Sequence, residues 1–148
     1  MSFNPDTFLQ ASVQGANDTV VIPVPEGEFF GIIDKVDARQ WQSKDGTKSG
    51  VSLDVTWFVE DPDVKAALGR DTVTVRQGIM LDLTAAGGID TSAGKNVGLG
   101  RLREAIGKND PKEAFSFSML PGMSAKIVVK HRIDGENTYA EVRGVAKA

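Results

Sequence analysis

Residues 38–57, ARQWQSKDGTKSGVSLDVTW, hold both tryptophans of the chain together with Arg39, Lys44 and Lys48. An indole presents a flat π face on which a nucleic-acid base can stack. Guanidinium and ammonium groups present charge to phosphates, and single-strand binding needs both. The same pairing recurs downstream in strand-like segments. Arg76 alternates with Met80, Lys126 and Lys130 alternate with Arg132, and Tyr139 alternates with Arg143. Phe58 alternates with Thr56 on the face opposite Trp57. The candidate ligand-binding residues are therefore Arg39, Trp41, Lys44, Lys48, Phe58, Arg76, Lys130, Arg132, Tyr139 and Arg143. A lone charge on a strand face is usually just solvated, so the set carries weight only if the fold brings it together.

Other chemistries find little support. The chain has no cysteine and one histidine, His131. That excludes a disulfide framework and thiolate chemistry. A metal site needs a cluster of ligands, and a Ser-His-Asp triad needs its histidine presented in a cleft. Alternation instead puts His131 with Ile127 and Val129 on a core-facing side, as a packed or edge histidine. The acidic run DPD, 61–63, reads as helix-start chemistry rather than a Mg²⁺ site. The stretch GGIDTSAGKNVGLG, 87–100, is Gly-rich and carries Lys95, but its spacing is not that of a phosphate-binding P-loop. No catalytic residue, cofactor or metal is expected, and the chain is not read as an enzyme.

At 148 residues, 41% hydrophobic and 25% charged, the composition is that of one globular domain with an ordinary core. The net charge of -3 argues against a polycation that coats nucleic acid. A local basic strip on an acidic body remains compatible, because phosphate contacts are local. No apolar run approaches the roughly 18 residues of a membrane span. The start, MSFNPDTFLQ, lacks the basic and apolar regions of a signal peptide. The expected location is the cytoplasm, that of the host cell if the chain is phage-encoded.

These residues must be positioned by strands. Residues 1–24 have no sustained period and are interrupted by Pro23, which predicts an arm lying on the domain or partly disordered. Residues 25–148 form the domain. GEFFGIIDKVDARQ, 27–40, reads as a long first strand with Gly31 as a bend. SKDGTKS is hairpin chemistry, because Asp-Gly accepts the positive φ of tight turns. That places Trp41 at the edge of a wet loop. In 50–60, Val51, Leu53, Val55, Trp57 and Val59 alternate with polar positions, predicting a second strand with Trp57 in the core. A short helix follows at 62–68, with Asp61 as N-cap, Pro62 at its first position and Gly69 as its stop. A third strand spans 71–83. Val97, Leu99, Leu102 and Ile106 have helical spacing, with Asn96 as a plausible cap and Gly107 as the stop. Strands at 122–133 and 138–146 flank a DGEN turn.

Five strands with one buried face need closure to hide their edges. The economical solution is a mainly β, five-stranded antiparallel barrel of oligonucleotide/oligosaccharide-binding (OB) type. One helix lies between strands 3 and 4, and a short inserted helix between strands 2 and 3. In such a barrel the loop joining strands 1 and 2 is a usual place to grip a ligand, which singles out Trp41, unless its ring folds back to cover the barrel end. Phe58 reads equally well as a stacking platform or as a side chain covered by the N-terminal arm.

The run VPEGEFFGIIDKVDARQWQSKDGTKSGVSLDVTWFV resembles the start of a group of small phage proteins. LGRLREAIG, PGMSAKIVVKH and GENTYAEVRGV resemble that group's helix, its Leu-x-Gly-x-x-(small)-x-(Val/Ile) strand and its final hairpin. The likeness runs over residues 24–145. It implies an OB-fold, non-sequence-specific single-stranded-DNA-binding protein of phage DNA replication and recombination. The expected partners are single-stranded DNA and replication or recombination proteins, with self-association a further option and no membrane. The alternative is an interaction module on an OB scaffold, a replisome or recombinase accessory factor or a virion component, that binds no nucleic acid. Many single-strand binders end in an acidic tail; here the chain ends EVRGVAKA, so recruitment through such a tail is not expected.

Overall fold

The structure, a computed structural model, describes residues 2–148. Five strands form it: β1 (Gly27–Gln42), β2 (Ser49–Val59), β3 (Thr74–Leu81), β4 (Ser124–Asp134) and β5 (Asn137–Ala146). They close into a barrel in the order β1-β2-β3-β5-β4. This is the OB-like architecture expected from the sequence. Four of the pairings are antiparallel; the closing one, β3 with β5, is parallel and rests on a single residue pair, Arg76 with Glu141. The barrel is therefore not antiparallel throughout.

The alternation read from the sequence sets the two faces. Leu53, Val55, Trp57, Val75, Ile79, Ile127 and Val129 point inward and are buried. Trp57 is wholly buried, and its indole N–H donates to Gln77 Oε1 at 3.0 Å. That bond satisfies a donor that would be costly to bury unpaired.

Gly31 is not a bend. Its pairing runs through without interruption, and the register shift lies between Ile33 and Lys35, with Asp34 as the extra residue of a bulge. Gly31 is needed for space: a Cβ there would lie 2.9 Å from Trp57 Cε3 and 3.0 Å from Ile127 Cδ1.

Helix α2 (Pro62–Leu68) begins and ends as expected. Asp61 accepts from the Val64 N–H at 3.0 Å, and Gly69 adopts φ 63°. Helix α3 (Val97–Ala105) buries Leu99, Leu102 and Ala105 and packs against β3 and β5, while Val97 is exposed. Asn96 does not cap it with its side chain. Asn96 sits at φ 52°, a left-handed conformation that Asn tolerates better than most residues. Its amide accepts from Asp82 N at 2.7 Å and donates to the carbonyls of Asp82 and Asp90 at 2.8 and 2.9 Å. The residue pins both ends of the 82–96 loop, which competes with capping. A 3-10 turn, Phe117–Met119, leads into β4 and was not foreseen from the sequence.

The N-terminal arm does not lie on the domain. Residues 2–22 are all exposed and none enters the core, and Pro5–Leu9 form a short helix, α1, capped by the Asn4 side chain. The tie comes later. His131 N–H donates to Glu26 Oε2 at 2.9 Å, and His131 Nε2 lies 2.7 Å from the Val24 carbonyl. A carbonyl only accepts, so Nε2 carries the proton. The His131 N–H pulls the Glu26 carboxyl below its ordinary range. His131 is thus an edge histidine that fastens the lead-in to the barrel.

Candidate nucleic-acid interface

The outer face of the barrel is built by the same alternation. From Lys35 onward β1 sends Asp37, Arg39 and Trp41 outward, opposite Asp54, Ser52 and Gly50 of β2. Asp54 and Ser52 in turn face Gly78 and Met80 of β3, with Thr56 opposite Arg76. Ser52 and Thr56 are buried although they point outward, because Ser52 sits between Arg39 and Met80, and Thr56 between Lys35 and Arg76.

Because β3 and β5 meet at one residue pair, the seam between them opens into a groove of about 520 Å³. Arg39, Asp54 and Arg76 line one wall. Arg132, Tyr139, Glu141 and Arg143 line the other. Gly78 lies in its floor, where an added Cβ would meet nothing closer than Asp54 Oδ1 at 3.9 Å. The groove stays open there because no side chain fills it.

Four guanidinium groups thus face two carboxylates. Arg39 Nε lies 2.8 Å from Asp54 Oδ2, and Asp54 also accepts from the Ser52 hydroxyl at 3.0 Å. The hydrogen bond from Arg39 holds the Asp54 carboxyl below its ordinary range. Glu141 uses both oxygens: Oε1 takes Arg132 at 2.5 Å and Oε2 takes Arg143 at 2.8 Å. The hydrogen bond that Arg132 donates to Glu141 raises the pKa of its guanidinium, whose carbon lies 4.8 Å from the centre of the Tyr139 ring. Arg76 makes no ion pair among the described residues. These exposed pairs stabilise the fold little, but they aim the guanidiniums along the groove. An arrangement of this kind can accept phosphates on its arginines and one flat ring on Tyr139.

Of the residues predicted from the sequence, the groove gathers Arg39, Arg76, Arg132, Tyr139 and Arg143. Trp41 is not in a loop: it lies within β1, paired with Gly50, two positions beyond Arg39 on the same face. Its ring lies across Gly50, where an added Cβ would be 2.8 Å from Cζ2. The polar residues around Trp41 concealed a strand that runs on to Gln42. Lys44 and Lys48 project from the exposed turn beyond it. That turn is held by Asp45, which accepts from the Ser43 hydroxyl at 2.6 Å and from the Thr47 N–H and hydroxyl at 3.0 and 2.7 Å. Those bonds, led by Ser43, lower the Asp45 carboxyl to about 2. Phe58 is half-buried between Ile32 and Thr74, away from the groove. Lys130 stands outward on β4 opposite Glu141, beside the groove rather than in it.

Asp54 and Glu141, which set the arginines, were missed as site residues. Their signal was present in the alternation: Asp54 shares the outer face with Ser52 and Thr56, and Glu141 stands between Tyr139 and Arg143. The sequence matches no family model and no curated protein.

Proposed function

We propose that this protein binds single-stranded DNA without sequence preference along the groove between β3 and β5. The observation that carries the reading is four arginines, drawn from β1, β3, β4 and β5, gathered with Tyr139 in one groove on an otherwise acidic chain. Arginines read phosphates irrespective of base, and a stacked ring tolerates every base. Trp41 extends the same face as a second aromatic, Lys44 and Lys48 add charge in the turn beyond it, and Lys130 adds charge beside the groove. The resemblance to small phage single-strand binders adds replication or recombination as the setting.

The test is a tryptophan-fluorescence titration of the full chain with oligo-dT and with a duplex of equal length. Binding of oligo-dT in preference to the duplex supports the reading. Equal or absent binding rejects it.

A second reading, an OB-scaffold interaction module, is favoured by the apolar side chains exposed along the N-terminal arm. It requires no nucleic-acid affinity, so the same titration separates the two.

A further inference from the structure

Large apolar side chains are unevenly spread over the exposed surface. Among the described residues, Phe3, Phe8, Leu9, Val13, Val20, Val21 and Ile22 of the arm are all more than half exposed. Apolar side chains left exposed together in one segment point to an interaction site. Phe3 and Phe8 already touch, with ring centres 5.3 Å apart, so a small apolar knob stands at α1, with Leu9 exposed next to it in the chain. Asp6 and Asp18 are the only charged side chains in residues 2–24.

A matching surface lies beside α3. Two hollows of about 570 and 370 Å³ share Ile89, Thr91, Leu99 and Arg103 and so form one continuous groove. Its apolar lining includes Val97 and Ile89, both exposed, and the Phe115 and Phe117 rings, packed edge to face with centres 6.1 Å apart. Its charged lining is mainly cationic: Lys95, Arg101, Arg103 and Lys147 outnumber Asp90 and Glu104. An apolar knob whose one charged side chain, Asp6, is acidic therefore fits a groove with an apolar floor and a basic rim. No arm residue lines the groove of its own chain.

We infer that the arm of one copy seats its Phe3–Phe8–Leu9 knob in the α3 groove of a second copy, and receives that copy's arm in return. The tie at Val24 and Glu26 fixes the root of the arm, and the 14 residues between it and the knob, 10–23, can span up to about 50 Å if extended. Reciprocal exchange makes a closed two-fold dimer and covers both arms at once. The inference is independent of what the β3–β5 groove binds.

Sedimentation velocity on the full chain, over a range of concentrations, tests it. The parent is expected to form dimers. Phe8→Asp and Val97→Asp, both at exposed positions, should each abolish the dimer while remaining folded by circular dichroism. An Asp at the start of α3 is compatible with the helix dipole, so Val97→Asp is expected to fold. Mixing the two variants should restore association, because each mixed pair keeps one intact arm and one intact groove. A monomeric parent, a dimer that survives Phe8→Asp, or no recovery on mixing would each overturn the inference.

Discussion

Trp41 and Trp57 stand on neighbouring strands, each against a glycine, on opposite faces of the same sheet. Trp57 points into the barrel, is wholly buried, and has its N–H satisfied by Gln77. Trp41 points out, is half-buried, and its Nε1 is covered without a hydrogen-bond partner among the described residues. Gly31 clears space for the first ring and Gly50 for the second. A ring enclosed on all sides fixes its surroundings, whereas a ring with one open side can give way or take a partner. The contrast shows why residue type alone does not tell a core aromatic from a binding one: the face of the strand decides.

The largest expected effect is Trp57→Ala. It removes a buried aromatic and strands the Gln77 side chain, so it should cost about 3–5 kcal/mol in chemical denaturation. Gly31→Ala should come next, at about 1–3 kcal/mol, because the new methyl meets a ring and an isoleucine that have no room to retreat. Gly50→Ala makes an equally close approach to Trp41, but that ring can swing outward. If Gly50→Ala destabilises as much as Gly31→Ala in paired thermal melts, the outer ring is as fixed as the inner one and the contrast fails.

Trp41→Ala should cost only about 0.2–1 kcal/mol of stability, the value of a cross-strand pair. It should also remove about 1–3 kcal/mol of oligo-dT binding if a base stacks there. A large fall in melting temperature with binding per folded molecule intact would make Trp41 structural.

The smallest effect belongs to the turn beyond it. Asp45 titrates near 2 in the fold against an ordinary 3.8, so its charged form is favoured by folding. Its contribution is complete above about pH 4 and is lost as the pH falls through about 2. The protection of the Thr47 amide, its exchange by NMR relative to the intrinsic rate at each pH, should fall across that window, and Asp45→Asn should abolish the step.

The fold was largely legible because its causes are local. Alternation in 50–60 and 122–133 and the Asp61-Pro62…Gly69 punctuation each state a strand face or a helix end within a few residues. The site was only half legible. Alternation placed Arg76, Arg132, Tyr139 and Arg143 on outer faces, but the parallel contact that brings β3 beside β5 depends on barrel closure, which no short stretch encodes. Trp41 misled for the opposite reason. Its polar neighbours suit an exposed strand as well as a loop, and only pairing with Gly50 distinguishes them. Asn96 looked like a cap because its side chain can cap; its bonds to the 82–90 segment are equally available and long-range.

Arg76 bears most directly on the proposed site, because it is the groove arginine without an ion pair and lies at the seam. Oligo-dT affinity measured across a salt series, for the parent and for Arg76→Ala, gives the log–log slope for each. A groove that neutralises phosphates predicts a steep negative slope for the parent, and a slope shallower by about 0.7 for the variant, with unchanged melting. A flat slope in the parent, or identical slopes in the two proteins, would contradict a phosphate-binding groove at β3 and β5.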